Sequence, residues 1–142
     1  MAFVQKWTPL ERIRAKIILE DRGYTTPCWM WQGCILHDGY GVIGVNRRQE
    51  RVHRISYSEA RGPIPSGQVI DHLCRTRACA NPEHLEAVTN RENILRGTSP
   101  SARHARKTHC PRGHPYSGEN LMTEIKNGRP SRRCRECKRR PS

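Results

Sequence analysis

The cysteines and histidines of this 142-residue chain are clustered, and this clustering constrains the fold more than any other feature. The spacing Cys74-x4-Cys79-x4-His84 puts three ligands in one short segment. It suits a tetrahedral zinc ion that takes one more ligand from elsewhere. Cys28 and Cys34 are the upstream candidates for that ligand. Cys28 is preferred because it begins a predicted strand that would fix its position, whereas Cys34 falls in a predicted loop and is more simply a spare thiol.

A second cluster lies near the end of the chain, where Cys110-x3-His114 is followed by the knuckle Cys134-x2-Cys137. A Cys-x2-Cys knuckle with a separate Cys/His pair is typical of zinc ribbons. The alternative is a disordered basic tail that carries incidental cysteines. We predict a second structural zinc site here, so that the chain would hold two zinc ions.

The composition favours metal sites over disulfides. Only 35% of the residues are hydrophobic and there is a single Phe, and small chains with thin cores often depend on a metal. An odd number of cysteines, seven, argues against a closed disulfide framework. No apolar leader follows the N-terminus and no stretch is long enough to span a membrane. We therefore expect a reducing cytoplasm, in which clustered Cys and His act as metal ligands.

The charge is concentrated towards the C-terminus. The formal net charge is +13, of which residues 98–142 carry +9, with twelve basic and three acidic residues. A polyanionic partner is therefore expected, and nucleic acid is preferred because no basic amphipathic helix suits a membrane. Arg132, Arg133 and Arg135 lie around the second cluster and suit phosphate contacts.

Local signals in the first part predict both helix and strand. Thr8 and Glu11 form a capping box that opens a helix, which would include Ile17 and stop at Gly23. Strands over 28–31 and 40–45, joined through a turn, are predicted to form a hairpin.

The middle of the chain predicts a strand–loop–strand–helix order. A helix over 54–61 precedes a short strand over 69–72, a polar loop, and a returning strand over 85–88. A second capping box then opens a helix that Gly97 closes.

We predict three parts for the whole chain. Residues 1–97 form the main domain, residues 98–109 a Ser/Arg/His-rich linker without hydrophobic periodicity, and residues 110–142 a small basic zinc-binding module.

Three residues beside the first cluster offer a different chemistry. Asp71 and Asn93 provide hard oxygen ligands suited to Mg²⁺ or Mn²⁺, and His72 is suited to act as a general base at physiological pH. Taken singly, Asp71 could cap a turn and His72 could be an ordinary half-buried side chain. The order of the elements would bring all three together, which favours a catalytic site. Neighbours on a strand point to opposite faces, so we expect the strand to end or twist at Asp71.

These residues belong to a longer pattern. It runs through Val52-His53-Arg54, Gly62-Pro63-Ile64-Pro65, Asp71-His72, Asn81-Pro82-Glu83-His84-Leu85 and Asn93. The pattern resembles phage-type HNH endonucleases, and residues 72–85 are also similar to the His-Cys box homing endonucleases. Both groups share the ββα-metal nuclease fold, and the resemblance covers residues 28–97.

The resemblance implies a role for each matching position. His72 would be the general base that activates water, and Asp71 and Asn93 would hold a catalytic Mg²⁺ or Mn²⁺ at the scissile phosphate. Apart from the resemblance, a backbone carbonyl or His53 is the candidate to orient His72, and His53 and Arg54 are candidates to support the site or contact DNA. The structural zinc of the His-Cys box branch would bind to Cys28, Cys74, Cys79 and His84.

Two positions depart from these patterns. His84 stands where the middle Asn of the HNH motif is expected, which leaves open what orients His72. Asp71 follows the HNH pattern, whereas the His-Cys box group generally lacks an acidic residue before the base.

We therefore expect an α+β fold with a ββα-metal core that is stabilised by a bound zinc ion, plus a small C-terminal zinc-ribbon-like module. The expected function is metal-dependent hydrolysis of phosphodiester bonds in double-stranded DNA by a phage-encoded monomer or homodimer in a bacterial cytoplasm. The alternative is a non-catalytic zinc-dependent nucleic-acid-binding protein, which would not need the oxygen-ligand site. The motifs of zinc proteases and zinc deaminases are absent from the sequence.

Overall fold

The computed structural model describes residues 6–139, so both ends of the chain lie outside the described residues. The first five residues of the predicted main domain and the last three of the predicted zinc module are affected. The described part mixes helices and strands, which confirms the α+β class. It divides into two compact units, residues 1–93 and 94–142. Among the helices of the described range, none is long and apolar enough to cross a membrane.

The first unit contains three separate antiparallel strand pairs, β1–β2, β3–β4 and β5–β6. A short 3-10 turn over Pro82–His84 leads into the last of these strands. The helices and strands in chain order are α1 (Pro9–Arg14), β1 (Ile17–Glu20), β2 (Cys28–Trp31), β3 (Val42–Val45), β4 (Arg48–Arg51), α2 (Val52–Arg61), β5 (Gln68–His72), β6 (Leu85–Thr89) and α3 (Asn90–Arg96).

Helix α1 begins where the sequence predicts but ends early. The Thr8 hydroxyl accepts from the Glu11 N–H at 3.2 Å, and the Glu11 carboxylate accepts from the Thr8 N–H at 2.7 Å, so the capping box is confirmed. The predicted continuation through Ile17 to Gly23 is wrong. Residues from Ile17 onward form β1, which pairs with β2. β-branched residues suit a strand, and pairing with another strand outweighs the helical spacing.

The predicted hairpin between residues 28–31 and 40–45 is also wrong. β2 pairs with β1, and β3 pairs with β4. Asn46 and Arg47 join β3 to β4 with φ angles of 49° and 63°, which are typical of the two-residue turn that favours hairpins. The Asp38-Gly39 turn instead closes a small loop, in which the Leu36 N–H donates to the Tyr40 carbonyl at 3.0 Å.

The strand–loop–strand–helix order in the middle of the chain is confirmed. β5 and β6 are antiparallel, with Asp71 opposite Glu86 and Gln68 opposite Thr89. The Thr89 hydroxyl accepts from the Glu92 N–H at 3.2 Å at the start of α3. These contacts fix which end of the hairpin carries each proposed catalytic residue.

The core of the first unit is small and centres on Trp31. Four other buried side chains make up this core: Ile13, Ile43, Val52 and Ala80. Gly33 and Gly41 pack directly against the Trp31 indole, where a Cβ atom at either position would overlap the ring. Partly buried hydrophobic side chains pack against this cluster: Ile17, Trp29, Val45 and Ile55.

The second unit is built around one hairpin. β7 (Leu121–Lys126) and β8 (Arg129–Cys134) pair antiparallel, and Asn127 and Gly128 form the turn with positive φ angles of 51° and 72°. α5 (Arg135–Arg139) follows the hairpin directly, and α4 (Pro100–Arg106) precedes it.

The predicted linker over residues 98–109 contains this helix α4, which the sequence pattern did not predict. The Ser99 hydroxyl caps the helix by accepting from the Ala102 N–H at 3.2 Å, and Pro100 occupies the first turn. Ala102 is fully buried. A capping residue followed by proline is a start signal that operates without hydrophobic periodicity.

Candidate active site and metal clusters

The first Cys/His cluster is assembled from three elements. Cys28 begins β2, Cys74 and Cys79 lie in the loop between β5 and β6, and His84 ends the 3-10 turn before β6. The four ligand atoms all lie within 4.8 Å of one another. Cys28 rather than Cys34 completes the cluster, and Cys34 is exposed.

The spacing of these atoms fits a tetrahedral zinc ion. Zinc–sulfur and zinc–nitrogen bonds of about 2.3 and 2.0 Å require a sulfur–nitrogen edge of about 3.5 Å. Nδ1 of His84 lies 3.6 Å from the Cys28 sulfur and 3.5 Å from the Cys79 sulfur. Nε2 of His84 lies 2.8 Å from the Thr26 hydroxyl. Such an outer contact orients the ring so that Nδ1 can bind metal.

One thiol of the cluster is prepared for metal binding by its neighbours. Hydrogen bonding with Cys79 lowers the pKa of Cys74 to about 4. The Asn81 N–H also donates to the Cys79 sulfur at 3.4 Å. The same interaction with Cys74 raises the pKa of Cys79, so the pair shares one thiolate, which is the form that binds metal.

The second cluster has the same geometry within the second unit. Nδ1 of His114 lies 3.5, 3.6 and 3.4 Å from the sulfur atoms of Cys110, Cys134 and Cys137. The Cys110 and Cys137 sulfur atoms are 3.6 Å apart, and the His114 N–H donates to the Cys110 sulfur at 3.4 Å. Both Cys/His groups that the sequence predicts are therefore brought together at distances that could hold zinc.

The proposed base, His72, is the last residue of β5 and is 5% exposed. Its Nε2 lies 3.3 Å from the Cys79 carbonyl oxygen. A backbone carbonyl therefore orients the ring, which is one of the two possibilities that the sequence leaves open. Burial lowers the pKa of His72 below its usual range, which favours the neutral imidazole.

Asp71 and His72 are both buried although they are neighbours on a regular strand. The two side chains point to opposite faces of the strand, and both faces are covered by other parts of the protein. One carboxylate oxygen of Asp71 accepts from Arg75 at 2.9 Å, whereas the His72 ring packs on aromatic neighbours. Asn93 lies in the first turn of α3, half-buried. Since α3 starts beside Gln68, at the opposite end of the hairpin, the convergence of Asn93 with Asp71 stays a prediction.

His53 is the second histidine of the site and is 7% exposed on α2. Its ring meets that of His72 edge-on at 4.8 Å between centroids, and Tyr40 lies 5.0 Å from it. Burial lowers the pKa of His53 to about 3. Within the described residues its buried Nδ1 has no hydrogen-bond partner. His53 therefore packs against His72 with a pKa that favours the neutral ring.

Two arginines lie beside the cluster of Tyr40, His53 and His72, and the sequence pattern did not predict them. The guanidinium groups of Arg51 and Arg77 lie over the Tyr40 ring at 4.8 and 5.5 Å. Asp38 anchors both, because its carboxylate pairs with Arg51 at 2.9 Å and its carbonyl accepts from Arg77 at 2.8 Å. These contacts link positions up to 39 residues apart, and no local motif signals them.

The other predicted arginines have different surroundings. Arg54 is exposed on α2. In the second unit, Arg132 donates to the Lys107 carbonyl at 3.0 Å and to the His104 carbonyl, and Arg133 pairs with Glu124 at 3.3 Å. Arg135 is half-buried at the start of α5.

Comparison with known proteins shows which family the chain resembles. The profile of the HNH endonucleases matches residues 50–95, which include β5, β6 and most of α3. The chain is 38% identical over 73 residues to the uncharacterized gene 5.3 protein of Enterobacteria phage T3, which covers 44% of this chain and 72% of that protein. The chain belongs to the HNH endonuclease family.

Two proteins of Escherichia phage T7 are also similar to this HNH protein. Protein 7.7 is 38% identical over 66 residues, covering 46% of this chain and 51% of its own length. Protein 2.8 is 30% identical over 112 residues, covering 78% of this chain and 72% of its own length. No solved structure matches. The resemblance to phage-type HNH endonucleases is confirmed.

Proposed function

We propose that this HNH protein is a divalent-metal-dependent endonuclease that hydrolyses phosphodiester bonds in double-stranded DNA. The observation that carries the proposal is the buried His72, held by a backbone carbonyl within the segment that the HNH profile matches. A module that only bound nucleic acid would need no such base. The strongly basic chain, with a net charge of +13, supports a polyanionic substrate.

The hydrogen bond of His72 determines which nitrogen reacts. When Nε2–H donates to the Cys79 carbonyl, the lone pair is on Nδ1. Nδ1 then takes a proton from the attacking water, while the neutral His53 ring packs against His72 and limits its rotation. Burial of both rings favours the neutral state that a base requires.

The two arginines beside the base are suited to hold the scissile phosphate. Arg51 and Arg77 are stacked on Tyr40 and tied to Asp38, so that their guanidinium groups are fixed before substrate binds. Arg51 Nη1 is buried and, among the described residues, has no hydrogen-bond partner. Planar guanidinium groups match the oxygens of a phosphate, so these side chains would position the bond that water attacks.

The residues proposed for the catalytic metal fit a hard cation. Asp71 is a carboxylate, 4% exposed, that already faces the cationic Arg75, and Asn93 adds an amide oxygen. When bound, Mg²⁺ or Mn²⁺ supplies Lewis-acid stabilisation of the charge that develops on the phosphate. The two Cys/His clusters would hold structural zinc, since all eight of their atoms are protein ligands.

The test is a nicking assay on supercoiled plasmid with the zinc-loaded protein. Relaxed or linear products should form after addition of Mg²⁺ or Mn²⁺ and should not form without them. The His72→Ala variant should bind DNA normally and cleave about 10²–10⁴-fold more slowly, which is the usual contribution of a general base.

The matched control is His104→Ala, because the His104 side chain is exposed on α4 in the second unit. This variant should cleave like the unmodified protein. Equal activity of the two variants would reject His72 as the base. DNA binding without any metal-dependent cleavage would favour the non-catalytic binding protein instead.

A further inference from the structure

The second unit contains an open cavity of about 510 Å³ beside its Cys/His cluster. Pro111 and the three cysteines of the cluster line one part of the cavity. The rest of the lining is one aromatic ring, three cations and one carboxylate: Tyr116, Arg132, Arg133, Lys138 and Glu124. Nothing in the proposed active site uses it. Its volume and its excess of positive charge suit part of a nucleotide backbone.

Glu124 occupies the place of an anionic ligand between two of these cations. Its two carboxylate oxygens lie 2.9 Å from the Lys138 ammonium and 3.3 Å from Arg133 Nε. Lys138 lowers the pKa of Glu124, so the group is a carboxylate at neutral pH. Between 98 and 142 the sequence has only three acidic residues, which makes a carboxylate here conspicuous in a basic module.

The third cation, Arg132, is held differently. It lies over the Tyr116 ring at 5.0 Å and donates to the carbonyls of Lys107 and His104. It therefore forms a fixed wall of the cavity. The side chains of Arg133 and Lys138 are 53% and 62% exposed, and exposed ion pairs contribute little net stability. These two cations can exchange partners at low cost.

We propose that this cavity binds a backbone phosphate of duplex DNA, and that Glu124 is an internal competitor for that phosphate. Arg133 and Lys138 leave the shared carboxylate and contact the phosphate, while Glu124 continues to repel it. The inference rests on the proposed function only in taking duplex DNA as the ligand. It predicts that the natural chain binds DNA more weakly than its arginines and lysines would allow.

The test compares the isosteric substitution Glu124→Gln with Glu119→Gln, which makes the same charge change outside the cavity. Both are made in the full chain carrying His72→Ala, and binding to a short duplex is measured without Mg²⁺ across a series of salt concentrations. Glu124→Gln should bind about two- to fivefold more tightly than Glu119→Gln, in the range of an exposed ion pair. Its slope of log affinity against log salt should be steeper by about 0.9 for each additional phosphate that the protein neutralises.

Equal affinities and slopes for the two variants would overturn the inference. A second comparison adds Arg133→Gln and Lys138→Gln to the Glu124→Gln chain and should abolish its tighter binding. Tighter binding that persists would mean a general effect of charge, and the site would be rejected. Cleavage is not measured here, so a protein that shows the Glu124 effect but never cuts DNA would refute only the proposed function.

Discussion

At the scale of single residues, the shape of a side chain matters as much as its charge. Arg77 lies over Tyr40 at 5.5 Å and donates to the Asp38 carbonyl at 2.8 Å. Lysine keeps the charge but loses the planar stacking and the fork of donors. We expect Arg77→Lys to slow cleavage about 10- to 100-fold, because a misplaced phosphate reduces the rate steeply.

The control for Arg77→Lys is Arg48→Lys, an exposed position on β4. Single-turnover cleavage of plasmid by both variants measures the difference directly. If Arg77→Lys cleaved as fast as Arg48→Lys, the guanidinium would have no part in positioning the phosphate.

His53 makes stability depend on pH. Its folded-state pKa of about 3 lies below the ordinary value of 6.5, so between these values the unfolded chain binds a proton that the folded chain does not. Stability from this residue is complete above pH 6.5 and is lost as the pH falls towards 3. The slope is about 1.4 kcal/mol per pH unit for one proton.

Urea unfolding of the natural chain and of His53→Leu at several pH values between 7 and 4 tests this. The variant should lose stability less steeply by about that slope, while acid release of metal affects both proteins alike. Parallel pH dependences would show that His53 is not buried in the neutral form.

At the scale of elements, the sequence predicts what is encoded locally. The capping box of α1, the order β5–β6–α3 and the spacings Cys74-x4-Cys79-x4-His84, Cys110-x3-His114 and Cys134-x2-Cys137 are encoded within short segments. The end of α1 and the partners of β2 and β3 depend on which strands meet, so the pattern predicted them wrongly. Tyr40, Arg51 and Arg77 were missed for the same reason, because their contacts form only in the folded chain.

We expect the loop between β5 and β6 to depend on metal binding at the first Cys/His cluster more than on apolar packing. Cys74 and Cys79 in this loop and His84 at its end belong to the cluster, and the neighbouring hydrophobic core is small. Binding of a structural zinc contributes about 10–16 kcal/mol, whereas a whole domain is stable by about 5–15 kcal/mol. We therefore expect Cys74→Ser to unfold the first unit rather than only slow the reaction.

Circular dichroism and native mass spectrometry check this prediction. The natural chain should carry two zinc ions, and Cys74→Ser should carry one and lose its folded signal. Cys34→Ser, which removes the exposed thiol, should keep both metals. A folded Cys74→Ser protein with one zinc and native thermal stability would contradict the structural role of the cluster.

At the scale of the whole molecule, charge and chemistry are divided along the chain. Residues 98–142 carry +9 of the net charge of +13 and the second Cys/His cluster. Every proposed catalytic residue lies in residues 1–97. We propose that the C-terminal part adds affinity for the DNA backbone and leaves the chemistry to the first part.

A chain that ends after Gly97 tests this division. It should still nick plasmid at low salt, because His72, Asp71 and Asn93 remain, but should lose activity sooner as salt rises. Each phosphate that the shortened chain no longer neutralises should flatten the slope of log affinity against log salt by about 0.9. Contacts to phosphate carry no sequence information, so the positions of the cuts, read by sequencing the ends, should not change. If the salt slope stayed the same, the basic part would not touch DNA. If the cut positions changed, it would read bases rather than phosphates.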